Sequence, residues 1–237
     1  MFGHLVIMIR RPVLNAGSGD TMQDTSASIV EAAEVLFAEQ GFTETTVRQI
    51  TSAAGVNLAA VNYHFGSKKG LIQAVAEKLL VPLCDHIDNA LVSHVATSNE
   101  PPTLEEALEM LMRALLAVNK TNIQALPVFM RLLELAYMKN QGELRDFLIE
   151  RYAGRLTSFV AIMRNGSAMM EDDEFFWRIH FLLGSITFTL SNVHTIAALE
   201  KRESEKDVEI EQVMHRMVPV LAAGLQARAE KTYFCRI

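Results

Sequence analysis

The sequence predicts an all-α fold of about nine helices, and three observations carry that prediction. Apolar residues recur at three- and four-residue intervals along almost the whole chain. Good N-capping residues (Thr, Asn, Ser) stand at the starts of the periodic segments. No run alternates apolar and polar residues as a half-buried strand would. The composition agrees: 237 residues, half of them hydrophobic and only six proline, suit one large domain or a small module joined to a larger one.

At the N-terminus, "HLVIMIRRP" is a short apolar run followed by its arginines, the reverse of a secretory signal. "NAGSGDT" then resembles flexible linker, and Met22 stands just before the first strongly periodic segment. Residues 1–24 are expected to be a flexible extension. Ile29, Ala32, Ala33, Leu36 and Phe37 form the apolar face of a first helix that ends at Gly41. Val47, Ile50 and Ala54 make a short second helix capped by Thr45 or Thr46. Gly55 provides a sharp turn. Asn57 caps a third short helix from Leu58 to about His64, and Ser67 caps a fourth from Lys68 to about Leu91, with a bend expected at Pro82.

After the linker "NEPPT", Thr103 and Glu106 form a capping box for a helix reaching about Val118. Helices are expected over about 123–138, 144–164, 172–199 and 207–229. The organisation expected is a small N-terminal module over 25–70, a larger helical domain over 71–230, and a tail over 231–237.

Charge and cysteine usage narrow the function. The chain carries a net charge of -6, yet residues 45–76 contain Arg48, Lys68 and Lys69 and no Asp or Glu. Cys84 and Cys235 are too far apart in sequence to suggest a zinc site or a disulfide framework, which fits a cytoplasmic protein. Charges interrupt every apolar run, so no membrane span is expected. Nucleophile elbows, phosphate-binding loops and zinc-protease motifs are absent. His180 and His194 would lie about 21 Å apart on one helix. No enzyme activity, cofactor or metal is expected.

Residues 47–65 read as a helix-turn-helix, whose second helix can lie in the DNA major groove. Ile50, Val56, Val61 and Phe65 have the spacing of a packed face. Leu58, Ala59, Asn62 and Tyr63 are left outward, with Ala60 small enough for close approach. Asn62 can bond base edges, and Leu and Ala can touch thymine methyls. Tyr63, His64, Lys68, Lys69 and a capping threonine can reach phosphates.

The stretch "AAEVLFAEQGFTETTVRQITSAAGVNLAAVNYHFGSKKGLIQAV" resembles the TetR family of bacterial transcriptional repressors over about residues 26–76. That resemblance implies a three-helix DNA-binding domain followed by a helical effector and dimerisation domain. Its motif falls on Thr45, Thr46 and Arg48 at the second helix, on Asn57 to His64 along the reading helix, and on Lys69 at the start of the fourth. Two departures stand out: Thr51 replaces a customary alanine, and Asn62-Tyr63-His64 replaces the commoner Tyr-His-Tyr order. The second bears on which operator is read.

Farther on, "FMRLLELAY", "FWRIHFLLG" and "EQVMHRMVPVLAAG" resemble segments of a fatty-acid-responsive member of that family. This implies a small hydrophobic effector, a long-chain fatty acid or acyl-CoA. Candidate carboxylate anchors are Arg131, Arg178 and His180, cations or proton carriers on otherwise apolar helices. Arg131 can equally pair with Glu134 one turn away, and His180 can be a satisfied core histidine. The resemblance also implies a homodimer interface on the last two long helices, about 172–199 and 207–229, with Met214, Met217, Val218, Leu221 and Leu225 as its candidate residues, although the same periodicity can seal a monomer's core. Two functions follow: a homodimeric, effector-released repressor of a palindromic operator, or a helical lipid- or protein-binding module whose helix-turn-helix no longer binds DNA.

Overall fold

The computed structural model describes residues 18–204 and 208–228. Ten helices occur among them, with no strand: α1 (Ser18–Gln40), α2 (Val47–Ala53), α3 (Leu58–Phe65), α4 (Lys68–Thr97), α5 (Leu104–Thr121), α6 (Ala125–Ala136), α7 (Gly142–Gly166), α8 (Asp172–Ser191), α9 (Val193–Ser204) and α10 (Ile210–Gln226). The all-α expectation holds, with one helix more than the sequence suggested.

The additional helix arises at Asn192. The expected helix over 172–199 is two, α8 and α9, inclined at 71°. Asn192 donates to the Phe188 carbonyl from its side chain, at 2.8 Å, as well as from its backbone. A short amide side chain that competes for helical carbonyls in this way ends a helix that apolar periodicity alone would continue. At the N-terminus α1 begins at Ser18, so residues 18–24 belong to a helix and not to a flexible extension. The expectations for residues 1–17 and for the tail at 231–237 lie outside the described residues. No single described helix is long and apolar enough to cross a membrane.

Helices α1, α2 and α3 close around Ile29, Ala33, Phe37, Phe42, Ile50 and Val61, all buried. The Phe37 and Phe42 rings sit 4.3 Å apart between centroids. Leu71, Val75, Ala76 and Leu79 of α4 extend this core into the larger domain. There α5 is central, burying eight residues against α4, α6, α7 and α10. Helix α4 runs unbroken through Pro82. A proline there withholds one backbone N–H from the ladder, which weakens the helix at that turn without ending it.

One ionic node joins the two domains. Glu34 of α1 is 3% exposed. It accepts from Lys78 Nζ of α4 at 2.6 Å and from Asn122 Nδ2, beyond α5, at 3.0 Å. A buried carboxylate is tolerable only with such partners, so removing either leaves a charge in low dielectric.

Candidate nucleic-acid interface and effector cleft

The reading module is built from local caps. Thr46 caps α2 by accepting from Gln49 N at 3.3 Å, while Gln49 Oε1 accepts from Thr46 N at 2.7 Å. Asn57 Oδ1 accepts from Ala60 N to start α3, and Ser67 Oγ accepts from Gly70 N to start α4. Each cap satisfies a donor the helix itself leaves open. Gly55 turns the chain between α2 and α3 at φ +68°, a conformation that side chains with a Cβ resist.

Most of the sequence-predicted DNA contacts are on the surface. Arg48, Asn57, Leu58, Ala59, Asn62 and Tyr63 are exposed, Tyr63 at 72%, and Thr46 is exposed beside them. His64 is half-buried, with its ring edge-on to Tyr63 at 5.1 Å. Ala60 is half-buried against the core, so it spaces the helix more than it presents a surface.

Thr45 is a correction. Its side chain is fully buried and its hydroxyl donates toward the carbonyls of Gly41 at 2.7 Å and Leu36 at 3.2 Å. It anchors the end of α1 and cannot meet DNA.

The two lysines differ. Lys68 is half-buried, its Nζ donates to Thr43 O at 3.4 Å, and burial pushes its pKa down, against the pull of Glu44. Lys69 is exposed and pairs with Glu143 of α7 at 2.6 Å. Such a surface pair is weak in water and can open to a stronger anion.

The effector candidates separate clearly. Arg178 is not available as a ligand anchor: Nε donates to Glu174 at 2.7 Å and Nη1 donates to Gly224 O at 3.0 Å. It closes the C-terminal end of α10, where a cation is favoured. His180 is held through Nδ1 by the Phe176 carbonyl at 2.7 Å and packed by Phe176, Trp177 and Tyr137. It does not line the cleft that Arg131 borders.

That cleft, of about 480 Å³, is bounded by Ala38 of α1, Asn119 of α5, Met130, Arg131 and Glu134 of α6, and His194 of α9, among others. Arg131 does not pair with Glu134. Its Nε donates to Ala38 O at 2.9 Å and its Nη2 to Glu39 O at 3.5 Å, so it sits on the last turn of α1. Glu134 instead accepts from Ser191 Oγ at 3.4 Å.

The predicted dimer residues are also corrected. Met214, Val218, Leu221 and Leu225 are buried inside the protomer, and Met217 packs half-buried on the same core. Their periodicity seals α10 onto α5 and α8. The unpartnered apolar surface lies elsewhere: Trp177, Phe181 and Phe188 project from one side of α8, between 55% and 67% exposed. Val220, Ala223 and Gly224 are exposed on α10, which packs beside α8. The sequence points to this helix as an interface element but not to these residues, although the spacing of 177, 181 and 188 is itself helical. Among the described residues no group of three or more His, Cys, Asp or Glu could hold a metal.

Comparison with known proteins places this geometry. The model "Bacterial regulatory proteins, tetR family" matches residues 29–75, and "Tetracyclin repressor-like, C-terminal domain" matches residues 109–224. The HTH-type transcriptional regulator TtgR of Pseudomonas putida is 42% identical over 57 residues, 24% of this chain and 27% of its own length. The chain spans between 27% and 48% of the length of the curated relatives it matches.

Among solved structures, NalD, the secondary repressor of the MexAB-OprM multidrug efflux pump in Pseudomonas aeruginosa, superposes with a TM-score of 0.54 at 18% identity, covering 88% of this chain and 98% of that one. The fatty acid degradation regulator FadR of Bacillus halodurans gives 0.50 at 16% identity, over 84% and 99%. At such identities these two likenesses speak for the fold alone. With one family model on the reading module and another on the larger domain, the chain belongs to the TetR family of bacterial regulatory proteins.

Proposed function

We propose that the protein is a homodimeric, DNA-binding transcriptional repressor released by a small hydrophobic effector, a long-chain fatty acid or its CoA ester, and that it controls genes of fatty-acid metabolism. The observation that carries the DNA-binding part is the outward face of α3. Asn62, Tyr63, Leu58 and Ala59 are exposed there, next to Arg48, in a stretch with no carboxylate from 45 to 76. Phosphate contacts from Arg48 and helix N-termini would fix the register, and the α3 side chains would read base edges.

Two things support the lipid part: the cleft with Arg131 on its wall, and the likeness of the C-terminal segments to those of PsrA, a fatty-acid-responsive regulator. A carboxylate or thioester head at a polar wall with an acyl chain along an apolar one is the usual division of labour in such a pocket. Release follows if the effector favours an arrangement in which the two reading helices no longer stand about 34 Å apart.

The test is a gel shift with the DNA upstream of the protein's own gene and of β-oxidation genes, titrated with oleate and with oleoyl-CoA. A specific shift reversed by one of the two is expected. Arg48→Ala should weaken it about equally on all sequences and flatten its salt dependence by about one phosphate contact. Absence of any duplex binding by the wild-type dimer would refute the regulator reading. A shift untouched by either lipid would leave a repressor with a different effector.

A further inference from the structure

The end of α1 is held from two sides. From the reading module, the Thr45 hydroxyl bonds Leu36 O and Gly41 O, one residue before the cap of α2. From the effector domain, Arg131 bonds Ala38 O and Glu39 O. The same Arg131 side chain forms part of the wall of the 480 Å³ cleft. A single guanidinium therefore stands between a site able to hold a ligand and the turn that leads into the DNA-reading helices.

Building on the fatty-acid reading above, we propose that the cleft takes a long-chain carboxylic acid and that its carboxylate draws Arg131 away from the α1 carbonyls. The chemistry favours the exchange. A carboxylate offers a full negative charge and two oxygens that match the guanidinium fork, whereas the α1 carbonyls are neutral single acceptors, one of them at the long distance of 3.5 Å. The ligand thus has differential affinity for the state in which α1 is released, which is what a shift of conformation requires. The apolar part of the ligand also has a direction to run. Ile123, Leu126, Met130, Leu190 and Val193 give the cleft an apolar lining along which the chain can lie.

Glu134 opposes the acid. It lines the same cleft, and its charge repels a second carboxylate. Glu134→Gln should therefore tighten oleate binding several-fold and leave the binding of oleyl alcohol unchanged.

The deciding experiment uses the full chain without DNA. Binding of oleate, oleyl alcohol and oleoyl-CoA is measured by calorimetry, and amide hydrogen exchange is followed over residues 36–45. Oleate should bind and speed exchange at the Gly41 and Thr45 amides, which bond Phe37 O and Gly41 O at the end of α1. The alcohol and the CoA ester, lacking the carboxylate, should bind without that change. Arg131→Ala should weaken oleate tenfold or more, hold the alcohol within about twofold, and expose residues 36–45 to fast exchange with no ligand present. Ile123→Trp, at a cleft residue that is 77% exposed, should block all three ligands while α1 keeps its protection.

Equal loss of acid and alcohol in Arg131→Ala, or oleate binding that leaves α1 protection unmoved, overturns the proposal. So does undiminished oleate binding by Ile123→Trp. The outcomes separate the two readings: oleate binding that is absent or indifferent to Arg131 defeats the exchange alone, and no binding of either oleate or oleoyl-CoA by the wild type defeats the fatty-acid effector with it. Operator binding is scored in the gel shift and stands or falls apart from both.

Discussion

The Thr45 hydroxyl points into the domain and holds the last carbonyls of α1, while the Thr46 side chain, one residue on, caps α2 at the surface. Reciprocal capping pairs are legible from sequence because both partners lie within four residues, and Thr46, Asn57, Ser67 and Thr103 all cap where their local spacing predicted. The fate of Thr45 depends on the packing of Phe37 and Phe42, which spacing does not reveal. Arg178 and Arg131 stayed ambiguous for a similar reason, since their partners are backbone carbonyls 46 and 93 residues away.

Glu109 belongs to the same long-range class and gives a pH prediction. Burial works to raise its pKa, but hydrogen bonds from Arg113 at 2.6 Å and from His215 of α10 at 2.8 Å outweigh that and hold it below the ordinary carboxylate range. A depressed folded pKa contributes stability at pH above the unfolded value, about 4.3, and that contribution is lost as pH falls through the folded value. Thermal melting followed from pH 6 to pH 3 should fall less steeply for Glu109→Gln than for the wild type. Parallel profiles would show that the tie between α5 and α10 carries no charge dependence.

At the scale of elements, the joint between α3 and α4 brings the backbones close at Gly70. A Cβ built on Gly70 would lie 2.0 Å from the Phe65 carbonyl oxygen, closer than any real contact allows. The obstruction is backbone, so it cannot rotate away. Gly70→Ala should destabilise the protein by about 1–3 kcal/mol, as overpacking does, and should loosen α3 in particular. Urea unfolding would give the first figure and exchange of the α3 amides the second; a variant as stable as the wild type would mean that α4 can shift its first turn freely.

Helix identity was readable here because apolar period and caps agree, whereas helix ends set by a side chain inside a continuous apolar run were not. Asn192 shows the difference: nothing in "ITFTLSNVHTIAAL" interrupts the pattern, yet its amide takes the Phe188 carbonyl and the direction changes by 71°.

For the molecule as a whole, the question is what covers α8. An amphipathic pattern states that a face is buried but not by which chain, and this ambiguity misassigned α10: its regular leucine and methionine face closes the protomer. The stripe of Trp177, Phe181 and Phe188, with the small exposed residues of α10 alongside, leaves three aromatic rings open on one side of α8, and self-association is the use that the proposed palindromic operator requires. In the proposed dimer, small residues at 223 and 224 would allow two copies of α10 to approach closely, and the aromatic rings would be covered. Phe181→Glu places a charge in the middle of that stripe, where pairing with its symmetry mate would bring two carboxylates together. Sedimentation should then show a monomer at concentrations where the wild type is dimeric. Emission from Trp177, the chain's single tryptophan, should shift to longer wavelength as the ring returns to water, and operator affinity should fall at least a hundredfold while oleate still binds. A variant that stays dimeric would move the subunit interface off α8.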